Sequence, residues 1–200
     1  MFTVKKKTAL NNYVAINLAI MAIIAAVSST YAIAETKNSA LLKGELTRFK
    51  PALSIINAPD TPFTDGYGQK LTLKNYRGQM ILVNFWATWC APCIKEMPSL
   101  ERLQNKFKSS SLKVLAISVD HGGWAKINPF VKRMSLTNLS VFHDVSSKLM
   151  FRLKVKGLPT TILFDHQGIE LGRLTGPAEW DSDEVTTLIQ HHLTRQTFKR

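Results

Sequence analysis

The sequence has few cysteines and few acidic residues. Its two cysteines, Cys90 and Cys93, are two residues apart, and a bond between them would close a ring too small to remove much chain entropy, so a purely structural disulfide is not expected. The five histidines form no second cluster of zinc ligands. Basic residues outnumber acidic ones by 26 to 14 but are scattered without an Arg-rich block, so nucleic-acid binding is not expected.

The N-terminal segment has the layout of an export signal. Three lysines, Lys5–Lys7, precede residues 13–27, which are apolar apart from Asn17, and Ala32-Ile33-Ala34 resembles a cleavage site. The apolar run of about 15 residues is shorter than the roughly 20 that span a bilayer, although it could extend towards residue 34. We therefore predict that residues 1–34 are a signal peptide or an uncleaved membrane anchor. Either outcome places the rest of the chain outside the cytoplasm, and the absence of cysteine here excludes a lipoprotein anchor.

The remainder is predicted to be a polar tether (residues 35–48) followed by one domain (residues 49–196). Residues 49–68 are rich in Pro, Asp, Gly and Thr and indicate a turn-laden lead-in with room for a short hairpin. Strands are predicted at residues 71–73, 80–86, 113–119, 160–164 and 169–174. Helices are predicted at residues 93–108 and 124–134, for a turn or two within 145–153, and around 185–193 with Asp181 and Glu184 as its cap. This order indicates an α/β fold with a mixed central sheet.

The cysteine pair falls between a buried strand and the start of a helix, where open α/β sheets place functional residues. Positions three apart share a helix face, so Cys90 and Cys93 can form and break a disulfide with little rearrangement. Unpaired N–H groups and the helix dipole favour a thiolate at Cys90, which we predict to be the nucleophile, with Cys93 as the resolving thiol. The intervening Ala91-Pro92 carries no charge to stabilise that thiolate further, which favours a reductant.

Two other interpretations of the pair stay open at this point. One is a disulfide oxidase or isomerase, although no His lies between the cysteines and no dimerisation segment is evident. The other is a copper-binding assembly factor with two thiolate ligands and one His. A further open question concerns His121-Gly122-Gly123-Trp124, which follows the second long strand and is either a partner-docking loop or a plain connection.

Two motifs resemble a known family. The run Val-Asn-Phe-Trp-Ala-Thr-Trp-Cys-Ala-Pro-Cys at residues 83–93, followed by Glu-Met-Pro at 96–98, is similar to the signature of the thioredoxin superfamily. It resembles more narrowly the TlpA/ResA-like periplasmic or membrane-anchored thiol-disulfide reductases. Gly-Leu-Pro-Thr-Thr at 157–161 with Asp165 and Gly168 matches a second block. The resemblance covers about residues 50–195 and implies a thioredoxin fold, a mixed sheet flanked by helices on both faces, with an N-terminal extension.

The resemblance also implies roles for residues around the pair. The Leu158-Pro159 bond would be cis and lie beside the cysteines, where Pro159 shapes a substrate-peptide groove and keeps metals away. Trp89, Pro92 and Leu158 would contribute to this groove, although Trp89 could equally be a packing residue.

Glu96 matches the acidic residue that family members place near the active site. Helical spacing puts it on the same face as Cys93, so its carboxylate could exchange a proton with that thiol, although a solvated helix glutamate is the alternative. Asn84 stands where cytoplasmic thioredoxins carry a buried Asp, which makes Glu96 the more interesting proton carrier. Trp180, His143 and His166 are expected to be packing or surface residues.

These observations predict an exported thiol-disulfide oxidoreductase that mainly reduces disulfides, with no cofactor and no metal. The resemblance implies that its targets are apocytochrome c or copper-site assembly proteins of cytochrome oxidase, and that a membrane thiol donor restores the dithiol. The expected location is the periplasmic side of a bacterial inner membrane, with possible contact of the N-terminal segment with the membrane. We expect a monomer.

Overall fold

The structure, a computed structural model, describes residue 21 and residues 42–197. Its strands are β1 (Lys50–Pro51), β2 (Phe63–Thr64), β3 (Lys70–Leu71), β4 (Met80–Trp86), β5 (Leu112–Ser118), β6 (Ser140–His143), β7 (Thr160–Phe164) and β8 (Glu170–Thr175). Its α-helices are α1 (Ala91–Lys106), α2 (Trp124–Arg133), α3 (Lys148–Arg152) and α4 (Asp183–Thr197). Short 3-10 helices cover Gly44–Arg48 and Leu73–Tyr76.

The described strands form one mixed sheet flanked by helices, in the order β1-β8-β7-β4-β5-β6-β2-β3. β4, β5 and β6 are parallel neighbours, whereas β7 runs antiparallel to β4 and β8 antiparallel to β7. The prediction of an α/β fold with a mixed central sheet is confirmed. No helix in the described range is both long and apolar enough to cross a bilayer, and the predicted signal or anchor segment lies outside that range, apart from residue 21.

Strand β4 is the centre of the core. All seven of its residues are buried, as expected for a strand that is covered on both faces. Phe85 pairs with Ile117 of β5 on one side and with Thr160 of β7 on the other. The cysteines follow this strand within a few residues, so the most buried element of the sheet positions them.

Helix α1 buries the face that carries Cys93, Met97, Leu100 and Leu103. Pro92 lies in the first turn of the helix. Backbone N–H groups have no helical partner there, so the N–H that proline lacks costs no hydrogen bond. The helix then runs through Pro98 as one element of 16 residues. The helix predicted at residues 93–108 is confirmed. In the structure it begins and ends two residues earlier than predicted.

Two local predictions need correction, and one strand was missed. The strand expected at 71–73 ends at Leu71, because Thr72 and Asn75 form a capping box that starts a 3-10 helix. Strand β6 was not predicted. The last helix begins at Asp183 after Ser182, whose carbonyl accepts from Thr186 N, so Asp181 is not its cap. Leu46, within the segment expected to be a tether, is also buried.

Candidate active site

The two cysteines are joined as a disulfide at the start of α1. Their Cα atoms are 5.3 Å apart. Cys90 is the N-cap residue, and its sulfur accepts a hydrogen bond from Cys93 N at 3.4 Å. One sulfur therefore lies against an N–H group that has no helical partner, which is the setting that favours a thiolate after reduction.

Cys90 and Cys93 differ in access. Cys90 is 5% exposed and lines an open cavity of about 690 Å³, next to Trp89, which is 66% exposed. Cys93 is fully buried under the first turn of α1. A second sulfur could therefore approach Cys90 from the cavity, whereas Cys93 has no exposed surface.

The sheet topology brings the second motif to the same place. Because β7 is antiparallel to β4 and Thr160 pairs with Phe85, the residues before β7 lie at the sheet end where β4 leads to the cysteines. The Leu158–Pro159 bond just before β7 is cis, as the resemblance implied. Leu158 lines the cavity together with Cys90, whereas Pro159 is buried and is not part of the cavity wall.

Asp120, at the carboxyl end of β5, fixes the loop before the disulfide. Its carboxylate accepts from Thr88 N at 2.9 Å, from Thr88 Oγ1 at 2.7 Å and from Ser118 Oγ at 2.7 Å. Asp120 is 2% exposed, so these bonds form away from bulk water. The loop that carries Trp89 is therefore held to the neighbouring parallel strand.

Glu96 is the centre of a buried polar network behind the disulfide. Its Oε1 accepts from Asn84 Nδ2 at 2.8 Å. Its Oε2 accepts from Trp180 Nε1 at 2.8 Å and from Ala178 N at 3.1 Å. Asn84 also donates to Thr161 Oγ1 at 2.9 Å, and its own Oδ1 has no partner within the described residues. The alternative of a solvated helix glutamate is wrong, since Glu96 is 2% exposed.

Burial raises the pKa of the Glu96 carboxyl to about 7, although the hydrogen bonds from Trp180, Asn84 and Ala178 N favour its charged form. Arg48 contributes a smaller attraction in the same direction. A carboxyl group with a pKa near neutral can both give and take a proton at physiological pH. Glu96 lies one turn after Cys93 on the same buried face of α1.

Glu96 also borders a small recess of about 160 Å³. The recess is lined by three further charged residues, Glu45, Lys95 and Glu179. Its walls come from α1, from the loop before α4 and from the segment expected to be a tether. The buried carboxyl therefore lies close to a polar opening on the side of the molecule that the Cys90 cavity does not reach.

Trp180 is the main residue that sequence reasoning missed. It was expected to be a packing residue, and it is buried, but its indole N–H holds Glu96. The loop that carries it is itself held by Arg48, whose guanidinium donates to Pro177 O at 2.5 Å. No local pattern around Trp180 indicates this role, because its partner lies 84 residues earlier.

The remaining candidates separate into two groups. His121 and Pro92 line the Cys90 cavity, whereas Trp124 does not. His143 is buried with Nε2 2.9 Å from Asp120 O, in keeping with a packing role. Within residues 42–197, no three His, Cys, Asp or Glu side chains are grouped so that they could hold a metal ion.

Comparison with known proteins agrees with this geometry. A family model described as AhpC/TSA matches residues 56–169. Thiol-disulfide oxidoreductase ResA of Bacillus cereus is 36% identical over 119 residues, which is 60% of this chain and 68% of the relative. The Bacillus subtilis ResA is 31% identical over 120 residues, covering 60% of this chain and 66% of the relative.

Solved structures show the same fold. A crystal structure from Chlorobium tepidum, of the DsbE thiol:disulfide interchange type, superposes with a TM-score of 0.64 at 26% identity. It covers 71% of this chain and 99% of that one. StoA from Bacillus subtilis has a TM-score of 0.51 at 22% identity, covering 64% of this chain and 92% of that one, and supports the fold alone. The chain belongs to the AhpC/TSA family and is a thiol-disulfide oxidoreductase with a thioredoxin fold.

Proposed function

We propose that the protein acts outside the cytoplasm as a reductase of disulfides in other exported proteins. The observation that carries the proposal is the asymmetry of the disulfide, with Cys90 at an open cavity and Cys93 fully buried. A reductase needs one accessible thiol to attack a protein disulfide and one shielded thiol that reacts only within the mixed disulfide.

The reaction begins with the dithiol form. The Cys90 thiolate attacks one sulfur of the target disulfide, forming a mixed disulfide and releasing the other target sulfur as a thiolate that takes up a proton. Cys93 then loses its proton, with Glu96 as the acceptor, and attacks Cys90 Sγ. The second target sulfur leaves as a thiolate, and Cys90 and Cys93 close the disulfide seen here. Two electrons have moved to the target, and a membrane dithiol donor must then supply two electrons to reduce the Cys90–Cys93 disulfide, becoming a disulfide itself.

The proposal that the protein reduces its targets, rather than oxidising them, rests on the two residues between the cysteines. Ala91 and Pro92 supply no charged group that would stabilise the Cys90 thiolate in the way a strong oxidant requires. We therefore expect a reduction potential on the order of −270 mV, as in thioredoxin, rather than about −120 mV as in the oxidant DsbA. Equilibration with glutathione or thioredoxin, followed by alkylation and mass spectrometry, measures it. A potential near the DsbA value would establish the oxidase interpretation.

The biological setting is proposed from the sequence. Residues 1–34 export the chain as a signal peptide or hold it as an anchor on the periplasmic side of a bacterial inner membrane, with residues 49–196 as the catalytic domain. Apocytochrome c and copper-site assembly proteins of cytochrome oxidase are the proposed targets, because both carry cysteine pairs that must be reduced before haem or copper is inserted. The protein would act as a monomer without a bound cofactor.

Trapping identifies the target. In Cys93→Ser the mixed disulfide at Cys90 cannot be resolved, so partners should accumulate on the full-length protein and be identified by mass spectrometry. The matched control is Cys90→Ser, which should trap little because Cys93 is buried. If Cys90→Ser traps as much as Cys93→Ser, the assignment of the nucleophile is wrong.

A further inference from the structure

The cavity beside Cys90 has a wall built by α3, a helix of five residues. A helix this short is not stable alone and must be held by its neighbours. Asp144, itself buried, accepts from Met150 N at 2.9 Å, and Arg173 donates to Leu153 O at 2.8 Å. Leu149 of the helix and Leu153, which follows it, are buried in the core. Helix α3 is therefore fixed to the body from both ends.

The backbone at the two ends of α3 is unusual. Ser147, before the helix, has φ 53°, and Lys154, after it, has φ 55°. Residues other than glycine seldom adopt the left-handed region, and they keep it only where the surrounding structure holds them there. Such positions gather at functional sites, so the local strain at α3 suggests a role beyond connecting β6 to β7.

Helix α3 presents apolar surface to the cavity. Phe151 and Met150 both line it, and the Phe151 side chain is 72% exposed. On the chain segment before α1, Trp89 is likewise exposed and lines the same space. Large apolar side chains exposed together next to a reactive sulfur indicate a surface that a partner covers.

The charge around this apolar surface is positive. Lys156 lines the cavity, and no acidic residue is among the described residues that line it. Phe151 also borders an adjoining cavity of about 660 Å³, where it is joined by Lys148 and Arg152. In the described part of the chain, none of Lys148, Arg152 and Lys156 is in an ion pair. Asp60, the acidic residue of the adjoining cavity, is already paired with Lys74 at 2.7 Å.

We propose that the protein selects targets in which the attacked cysteine lies in an extended segment with a large apolar side chain near it and acidic residues beside that. The apolar side chain enters the cavity against Met150, Phe151 and Trp89, and the carboxylates face Lys148, Arg152 and Lys156. This inference rests on the proposed reductase function and names the class of polypeptide that the function acts on. The segment is acidic because Lys148, Arg152 and Lys156 form no ion pair with any of the described residues.

Four synthetic peptides test the preference. Each carries one cysteine in a mixed disulfide with a small reporter thiol, has Phe or Ser near that cysteine, and has Glu or Lys in the flanks. The rate constant for reporter release by the reduced full-length protein is measured in a single turnover. The Phe–Glu peptide should react fastest, with a preference for Phe over Ser of roughly 10-fold. The preference for Glu over Lys should be several-fold and should shrink at high salt.

Two substitutions assign the preferences to residues. Phe151→Ser should remove most of the preference for Phe, and Lys156→Glu should weaken or reverse the preference for Glu. Each result is a ratio of two rates measured on the same variant. A general loss of activity lowers both rates and leaves their ratio unchanged. The matched controls are Tyr67→Ser and Lys108→Glu, which change an exposed aromatic residue and an exposed lysine that line neither cavity, and which should keep both ratios.

The possible outcomes distinguish failure of the proposed target preference from failure of the proposed reductase function. Equal rates for all four peptides, a preference for Lys, or ratios that survive both substitutions would overturn the inference while leaving the reductase function standing. If the fully reduced wild-type protein releases no reporter from any peptide, the proposed function itself fails.

Discussion

The two sulfur atoms of the disulfide face surroundings of opposite character. On the Cys90 side the cavity is open, largely apolar and bordered by exposed aromatic residues, Trp89 and Phe151. On the Cys93 side, Glu96 is enclosed by donors from Asn84 and from the loop before α4. Only two residues, Ala91 and Pro92, lie between the two cysteines in the sequence.

This difference predicts that the two sides of the disulfide have different roles. Apolar surface and cations at the cavity can recognise a polypeptide. The buried network around Glu96 borders a recess of only about 160 Å³, and its proposed role is to move a proton. We therefore expect substitutions on the two sides to affect different measurements.

The largest effect is expected for thiol reactivity. Cys90 in reduced Cys93→Ser should react with iodoacetamide on the order of 100-fold faster than Cys93 in reduced Cys90→Ser, because thiolate character and access both favour Cys90. Mass spectrometry of timed samples measures the two rates. In denaturant the rates should converge, and equal rates in the native proteins would contradict the asymmetry.

Glu96→Gln should lower the rate of disulfide reduction at pH 8 by about 100-fold, the usual contribution of a general acid or base. In the wild-type protein the rate should rise as the pH passes the Glu96 pKa of about 7, because the ionised carboxylate accepts the Cys93 proton. The variant should lose that rise. Glu45→Gln is the matched control, since Glu45 lines the same recess but its side chain is 39% exposed. An unchanged pH profile in Glu96→Gln would exclude Glu96 as the proton carrier.

The same carboxyl should make stability depend on pH. Its pKa is about 7 in the folded protein and 4.5 as an unperturbed group, so the folded state holds the proton over a range in which the unfolded state has lost it. The free energy of unfolding of the oxidised protein should therefore fall by about 3 kcal/mol between pH 4.5 and 7 through this group. Urea unfolding of wild type and Glu96→Gln over that range measures the difference. Parallel curves would contradict it.

Those elements that the sequence predicts well are the ones with a local signal. The run 80–86 is apolar throughout, and β7 matches its predicted bounds at both ends, because each is a buried strand between turn residues. Strand β6 was missed because Ser-Val-Phe-His is short and does not alternate. It becomes a strand by pairing with β5, which no local pattern shows.

The same contrast between local and long-range signals applies to the residues of the candidate site. Cys90 and Cys93 follow from spacing, and Glu96 follows from helical periodicity and the family resemblance. Asp120 and Trp180 do not, because each acts on a residue far away in the sequence, 32 positions from Thr88 and 84 from Glu96. Ala178 N and Trp180 Nε1 reach Glu96 from the loop before α4, whereas Asn84 reaches it from β4.

Trp180→Phe tests the smallest of the expected effects. The substitution keeps an aromatic ring but removes the indole N–H that donates to Glu96 Oε2, while Ala178 N and Asn84 Nδ2 continue to donate. Loss of a hydrogen bond to the charged form should raise the Glu96 pKa by about one unit further. The midpoint of the pH–rate profile, or the carboxyl ¹³C chemical shift of Glu96 as a function of pH, measures the change.

The matched control lies on the other side of the disulfide. Trp89→Phe also exchanges one aromatic ring for another, but Trp89 is exposed and makes no hydrogen bond to Glu96. It should leave the Glu96 pKa unchanged and alter only the rates with peptide substrates. If Trp89→Phe shifted the midpoint as much as Trp180→Phe, the two sides would be coupled through the disulfide, and the separation of recognition from proton transfer would be wrong.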